Sequence, residues 1–391
     1  MRTRHAVLSG LATLAVVGAA VGSRADAAPE VPWGQRPVTV GSGFTLASTP
    51  SQDVFDPAPA VTASGRWVVF ATRAALDPND IDGEPDVYLR DRWTDLTRLL
   101  PGEGFILNLA VSAGGSYAVS SREVRDPELG PQVAHRFYNT STGRTTEVVG
   151  PYAERFRSVN DDGYFLVVRV ENGGALMRSG RVHPDGTVTP PVPTAFAQDS
   201  FLAVSNSMQR ALSFVSSGRP EHADHQYALV DLVAGTEQAI PTEIFADLPA
   251  DRTGIVGAAF SPNERLVAVL TDYGDTRGFL RLWDTTTGVV QSRLLTYGDY
   301  DRPVLAGLLD DGRVVYQLRD EVKVWDPAKG LAGDEIVSTT YAGDPVPATR
   351  LVASQLIATD IGRVIVCSQY ALSPYDTNGV RDCYLRALPP R

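Results

Sequence analysis

"ASGRWVVFATRAALDPNDIDGEPDVYLRDRWTDLTRLL", Ala63 to Leu100, decides how this chain must fold. A small-residue turn opens it and leads into "RWVVFAT", a β-branched and apolar run. A loop rich in Asp, Asn, Pro and Gly follows, then a second apolar run, "DVYLRD", and a third, "LTRLL". Short apolar runs bounded by such residues read as strands. Nothing beyond the N-terminal segment keeps a helical period of 3.6 over three turns, so an all-β chain is expected.

The stretch is one copy of a repeat. The opening turn and first long strand recur as "TASGRWVVF", "SAGGSYAVS", "NDDGYFLVV", "SNSMQRALSF", "SPNERLVAV", "LDDGRVVYQ" and "TDIGRVIVC". A second strand ending near Asp or Asn follows in "VYLRD", "RFYNTSTG", "ALVDLVAG", "LRLWDTTTG", "VKVWDPAKG" and "CYLRA". The third unit is weaker, with "ALMRSGRVHPDG" in that role. Thr62 and Thr359 open the first and seventh copies, so the mean spacing is about 49 residues.

Four short strands per unit at this period predict a β-propeller. One four-stranded sheet cannot bury both of its faces, whereas sheets stacked radially cover each other and leave short edges. A β-sandwich pair would leave the recurrent Asp-Gly turn before every second strand unexplained. The expectation is an all-β, seven-bladed propeller of four-stranded antiparallel blades filling residues 36–388. The blades fall near 55–100, 105–150, 154–193, 199–242, 253–293, 302–339 and 349–388. The last unit is one strand short, and "RPVTVGS", Arg36 to Ser42, belongs to no unit. That N-terminal strand is expected to complete blade seven by pairing with 382–388.

The opening stretch resembles the repeats of TolB-like propeller proteins in their exported bacterial form. "FLRLWDTTTG" and "VKVWDPAKG" resemble the tryptophan-aspartate repeat of related propellers. The resemblance covers the repeats throughout; it is strong in the first and last units and faint in the third and fourth. It implies a fold and a habit of binding, but no reaction. The separate N-terminal domain of TolB has no counterpart among these residues, so the cell-envelope role of TolB is not carried over.

Residues 1–27 read as a secretory signal peptide: basic "MRTRH", an uncharged apolar stretch, then "ADAA" with cleavage expected after Ala27. An uncleaved anchor is the competing reading. Residues 28–35 form a linker. No later stretch approaches the roughly 18 apolar residues of a spanning helix. The expected product is secreted, without a stable membrane span, and monomeric. The full chain carries a net charge of −11; without Arg2, Arg4, Arg24 and Asp26 it carries −13. Such a surface repels phosphate backbones, which argues against nucleic acid as a partner. Protein, peptide and glycan partners stay open.

Two cysteines, Cys367 and Cys383, fall on neighbouring strands of the last unit. A disulfide is the expected state in an oxidising compartment, with two buried thiols as the alternative.

The candidate site is the loop of the opening repeat. Asp80, Asp82 and Asp86 with Gly83 place three carboxylates on a tight turn, and Asp376, Asn378 and Asp382 with Gly379 repeat the pattern near the C-terminus. Calcium takes several oxygen ligands from short loops with a Gly at the bend. The plainer reading, preferred on sequence alone, is a bare turn in which Asp and Asn bond their own backbone and Gly supplies positive φ.

Other patterns carry less. Glu221, His222, Asp224 and His225 in "EHADH" read as a solvated loop rather than a zinc site, lacking a helix to align them and a third histidine nearby. "GGSYA", Gly114 to Ala118, lacks the strand-turn-helix setting of a nucleophile elbow, and neither His135 nor His183 makes a triad with it. Trp283 and Trp325, with Trp67 and Trp93, read as blade packing. No catalytic residue is assigned.

The functional expectation is a non-catalytic binding or scaffold module. Its ligand would dock on the face formed by loops between second and third strands, which hold Asp77, Asp80, Asp82, Glu84, Glu123, Asp126, Glu128, Asp272, Asp275 and Asp376. The alternative is a secreted propeller hydrolase or lyase acting on a glycan or lactone at the central channel.

Overall fold

A computed structural model describes residues 36–37, 59–100, 102, 105–127, 130–150, 152–153, 159–171, 176–189, 200–214, 227–246, 254–272, 276–298, 302–319, 321–332, 334–338, 363–368 and 382–388. These residues build antiparallel sheets that follow one another along the chain. No helix among them is long and apolar enough to cross a membrane.

After β1 (Arg36–Pro37), the first sheet contains β2 (Ala60–Val61), β3 (Trp67–Thr72), β4 (Asp86–Asp91) and β5 (Leu96–Leu100). The second contains β6 (Phe105–Val111), β7 (Tyr117–Asp126), β8 (Gly130–Asn139) and β9 (Thr145–Gly150). The third contains β10 (Tyr152–Ala153), β11 (Phe165–Glu171), β12 (Leu176–Val182) and β13 (Val188–Thr189). The fourth contains β14 (Ser200–Val204), β15 (Arg210–Phe214), β16 (Tyr227–Asp231) and β17 (Glu237–Ala239). The fifth contains β18 (Ile255–Phe260), β19 (Leu266–Asp272), β20 (Arg277–Asp284) and β21 (Val290–Thr296). The sixth contains β22 (Val304–Leu308), β23 (Val314–Leu318), β24 (Glu321–Trp325) and β25 (Asp334–Ile336). The last contains β26 (Arg363–Ser368) and β27 (Asp382–Ala387), in the order β1-β27-β26.

The architecture is that of an all-β propeller, but the expectation of seven four-stranded blades is overturned. Five sheets (the first, second, fourth, fifth and sixth) are four-stranded blades with at most one strand as short as two residues. In the third, only two residues of each outer strand are described, Tyr152–Ala153 and Val188–Thr189. The last sheet has three described strands, because the first strand expected for that unit falls outside the described residues. β1 pairs Arg36 with Leu385 and Pro37 with Tyr384, so the N-terminal strand joins the last sheet along 382–388; residues 38–42 lie outside the described set.

Alternation along the strands explains how sheets stack. Val267 and Val269 of β19 pack with Leu212 and Leu229 of the preceding sheet. Leu266, Ala268 and Leu270 of the same strand pack with Leu308, Val314 and Tyr316 of the following one. One strand thus serves two interfaces through its period of two. Val69 and Leu89 meet Leu109 and Ala118 in the same way, and Val119 and Phe137 meet Phe165 and Val182.

The recurrent turn before each second strand has a job between blades. The Asp161 carboxylate accepts the Gly114 N–H at 3.0 Å from the preceding turn. Asp310 accepts the Asn263 N–H at 2.7 Å, and Glu264 accepts the Ser207 N–H at 2.7 Å and its hydroxyl at 3.0 Å. A Cβ on Gly114 would stand 2.7 Å from the Asp161 carboxylate, which would have to shift to admit it. "GGSYA" is therefore part of the blade contact. The Asp or Asn that closes each third strand caps the next turn: Asp231 accepts from Val233 and Ala234, and Asp284 from Thr286 and Thr287.

Candidate functional site

The opposite end of the first blade holds the loop between β3 and β4. The loop folds on its own short-range bonds. The Asp77 carboxylate accepts the Asn79 N–H at 2.9 Å, the Asp77 carbonyl accepts the Asp80 N–H at 3.0 Å, and Asp82 accepts the Glu84 N–H at 2.9 Å. Gly83 turns the chain at φ +73°, a value that disfavours any side chain.

Asp86 opens β4 opposite Thr72, and Tyr88, two residues on, shares its side of the strand. The Tyr88 hydroxyl accepts the Leu76 N–H at 3.2 Å and donates to Asp80 Oδ2. This pulls Asp80 inward until it is only 6% exposed, while Asp82 stays exposed and Asp86 is half-buried. One carboxylate oxygen from each of Asp80, Asp82 and Asp86 lies within 4.8 Å of the other two. Among the described residues, Asp80 Oδ1 is buried and accepts no hydrogen bond.

The neighbouring blade contributes the counter-charge. Arg122, buried midway along β7, donates to the Gly102 carbonyl and places Nη2 3.9 Å from Asp86 Oδ1. Burial, then repulsion from Asp80, pushes the Asp86 carboxyl above the usual carboxylate range, with Arg122 opposing. Burial, then the bond to Asp80, raises the Tyr88 hydroxyl so far that it stays protonated. Chemically the cluster is an oxygen-only pocket with excess negative charge.

The structure thus brings together Asp80, Asp82 and Asp86. The second set is not described in the same way: Asp376 and Asn378 lie outside the described residues, and Asp382 is seen only as the first residue of β27, opposite Ser368. Cys367 is the registered partner of Cys383 across β26 and β27, but their side chains lie outside the description.

The wider acidic face is smaller than its sequence suggests. Asp272 is engaged by the Tyr297 hydroxyl at 2.5 Å and by Arg302 at 3.5 Å. Glu123 is not a loop residue; it lies in β7 paired with Phe105. Glu128, Asp275 and the side chain of Asp126 are outside the described set. What faces solvent near the cluster is Asp82, Glu84 and Glu123, with Ile81 90% exposed and Phe105 73% exposed.

Of the remaining candidates, Trp283 and Trp325 are buried in the blade interfaces and Trp67 packs partly buried on another. Trp93 departs from the expected packing role. It is 69% exposed, with the Arg66 guanidinium 4.7 Å above its ring and the Asp91 carboxylate bridging to Arg66 at 2.7 Å. The "EHADH" residues lie outside the described set. Sequence reasoning missed a Ser121–His135 bond of 2.9 Å, but both residues are fully buried, and burial lowers the imidazole pKa to about 3, so the pair is a neutral core contact. It also missed Tyr88 and Arg122. Tyr88 was detectable from its place two residues after Asp86; Arg122 belongs to another repeat and left no local signal.

No family model matches this chain, and no curated protein matches it. Solved structures do. TolB from Acinetobacter baumannii is 17% identical over 61% of this chain and 54% of its own, with a TM-score of 0.39. The Pyrococcus horikoshii acylaminoacyl peptidase is 13% identical over 74% of this chain and 46% of its own, at 0.49. This chain thus spans about half the length of those two proteins. Oligogalacturonate lyase from Vibrio parahaemolyticus is 12% identical over 91% of this chain and 97% of its own, at 0.53. At these identities the similarity shows the propeller fold alone.

Proposed function

We propose that this protein is an exported binding or scaffold propeller, and that its ligand docks on the loop end of the first two blades. The observation that carries the reading is Ile81. An isoleucine 90% exposed at a loop tip, between Asp80 and Asp82 and near the exposed Phe105, offers apolar contact inside a ring of carboxylates. Arg122 ties that loop to the second blade, so the two exposed apolar residues share one rim. A peptide that pairs basic with apolar side chains fits this chemistry. The N-terminal segment, which reads as a signal peptide, supports export.

The test compares capture of culture-supernatant proteins by the wild type and by a double variant, Ile81→Ser with Glu84→Gln. Partners held by the wild type and lost by the variant support the reading. Equal capture by both removes the face from consideration. Cleavage of an oligogalacturonate by the purified protein, read as new unsaturated product, would replace the binding reading with a lyase.

A further inference from the structure

We infer that Asp80, Asp82 and Asp86 form a calcium site at the loop end of the first blade. The inference goes beyond the docking proposal and stands whether or not that face captures a partner.

Three acidic residues on a loop would not be enough. The additional observation is Asp80 itself, whose Oδ1 is buried without a hydrogen-bond donor while its Oδ2 is held by Tyr88. A buried carboxylate oxygen left without a partner is costly, and native structures supply either a donor or a cation. The local backbone does not supply the donor. The N–H groups of Asn79, Asp80 and Glu84 go to Asp77 and Asp82 instead. Tyr88 thus pins one oxygen and leaves the other buried without a donor.

Charge and spacing select the ion. Three carboxylates against the single Arg122 guanidinium leave two negative charges, which one divalent cation neutralises. The donor set is oxygen only, which suits a hard cation and gives zinc or copper no preferred ligand. The oxygens lie within 4.8 Å of one another, compatible with a shared centre about 2.4 Å from each. Calcium accepts such uneven, partly exposed loops and completes its six to eight ligands with water, which the exposed side of Asp82 admits. Magnesium demands a tighter octahedron.

Asp82→Asn is the decisive variant. The asparagine oxygen can still accept the Glu84 N–H, so the loop keeps its shape while a charged ligand is lost. Bound calcium is counted by equilibrium dialysis on chelator-treated full-length protein, and melting is followed with calcium, with magnesium and with chelator. The wild type should bind one equivalent more than the variant and melt several degrees higher in calcium than in chelator. The variant should bind at this site at least ten-fold more weakly and lose its share of the shift. Equal equivalents in both proteins, or identical wild-type melts in calcium and chelator, would overturn the site. An equal response to magnesium would overturn the choice of calcium. Ile81→Ser with Glu84→Gln should bind calcium as the wild type does, which separates failure of the docking face from failure of the metal site.

Discussion

The two ends of the blades use carboxylates in opposite ways. At the turn end, Asp161, Glu264 and Asp310 each receive N–H donors from the preceding blade, and Asp91, Asp231 and Asp284 each receive donors from the turn they close. At the loop end of the first blade, Asp80, Asp82 and Asp86 crowd together, and one buried oxygen receives nothing. Titration follows the same divide. The Ala234 and then Val233 N–H groups lower Asp231, whereas burial and Asp80 raise Asp86. Satisfied carboxylates hold a fold together; a crowded, unsatisfied set points to something it is built to hold.

The strongest way to break this contrast is to remove the turn-end latches. Asp161→Ala, Glu264→Ala and Asp310→Ala should each cost about 1.5 kcal/mol as charge-assisted bonds are lost. Asp161 lies apart from the other two, but Asp310 holds the turn that carries Glu264, so that pair should couple and the triple variant should lose no more than about 4 kcal/mol, seen as a lower Tm whether calcium is present or not. An unchanged melt would mean the latches are decorative.

Next comes the base of the second Asp-rich loop. Cys367 and Cys383 are registered partners, one position in from Ser368 and Asp382, where that loop leaves the sheet. We expect a disulfide there, recovered as a cross-linked peptide under non-reducing conditions. Reducing it should cost about 3 kcal/mol for a loop of this length. Two free thiols in the folded protein would remove the staple.

Acid should separate the two ends. For Asp284, burial alone would raise the pKa, but Arg265, then the N–H groups of Thr286 and Thr287, hold it below the usual range. Asp91 is likewise held down by Arg66 and the Trp93 N–H against the effect of burial. A carboxyl whose folded pKa is depressed stabilises above its unfolded pKa of about 3.9 and loses that contribution as pH falls through the folded value. Asp91→Asn, Asp231→Asn and Asp284→Asn keep an acceptor oxygen but cannot titrate, so the triple variant should show a flatter loss of stability below about pH 4. Asp86 runs the other way: its pKa is raised by burial and then by Asp80, so protonation relieves both, and Asp86→Asn should not flatten the acid limb.

The smallest effect sharpens the comparison most. In chelator, Asp82→Asn should melt within about 0.5 kcal/mol of the wild type, as surface changes without a structural role do. A large loss there would make Asp82 a structural residue like those at the turn end.

Much of this was legible in the amino-acid order, and what was not had physical reasons. The repeat of turn, strand, loop and strand identified the propeller because each copy buries apolar residues on both faces. The uniform four-stranded blades did not follow, since edge strands rest on short pairings with little sequence signal, such as the three residues of Glu237–Ala239. The spacing of Asp80, Asp82 and Asp86 was visible, yet its meaning was not. Whether an aspartate faces water or loses it depends on Tyr88 pulling from the adjacent strand and on Arg122 arriving from another blade. Trp93 erred in the other direction: an aromatic in a repeat reads as core, but this one lies past the strand end and stacks on Arg66 in solvent.

The turn-end latches also give the molecule a direction in time. Gly114, Ser207 and Asn263 each wait for a carboxylate encoded roughly fifty residues further on. As the polypeptide emerges from a ribosome or a secretion channel, a blade can form its strands and its turn before its successor appears, but the turn lacks its carboxylate latch until then. Maturation then advances from the N-terminal side with a lag of one blade, each newcomer fastening the one before it.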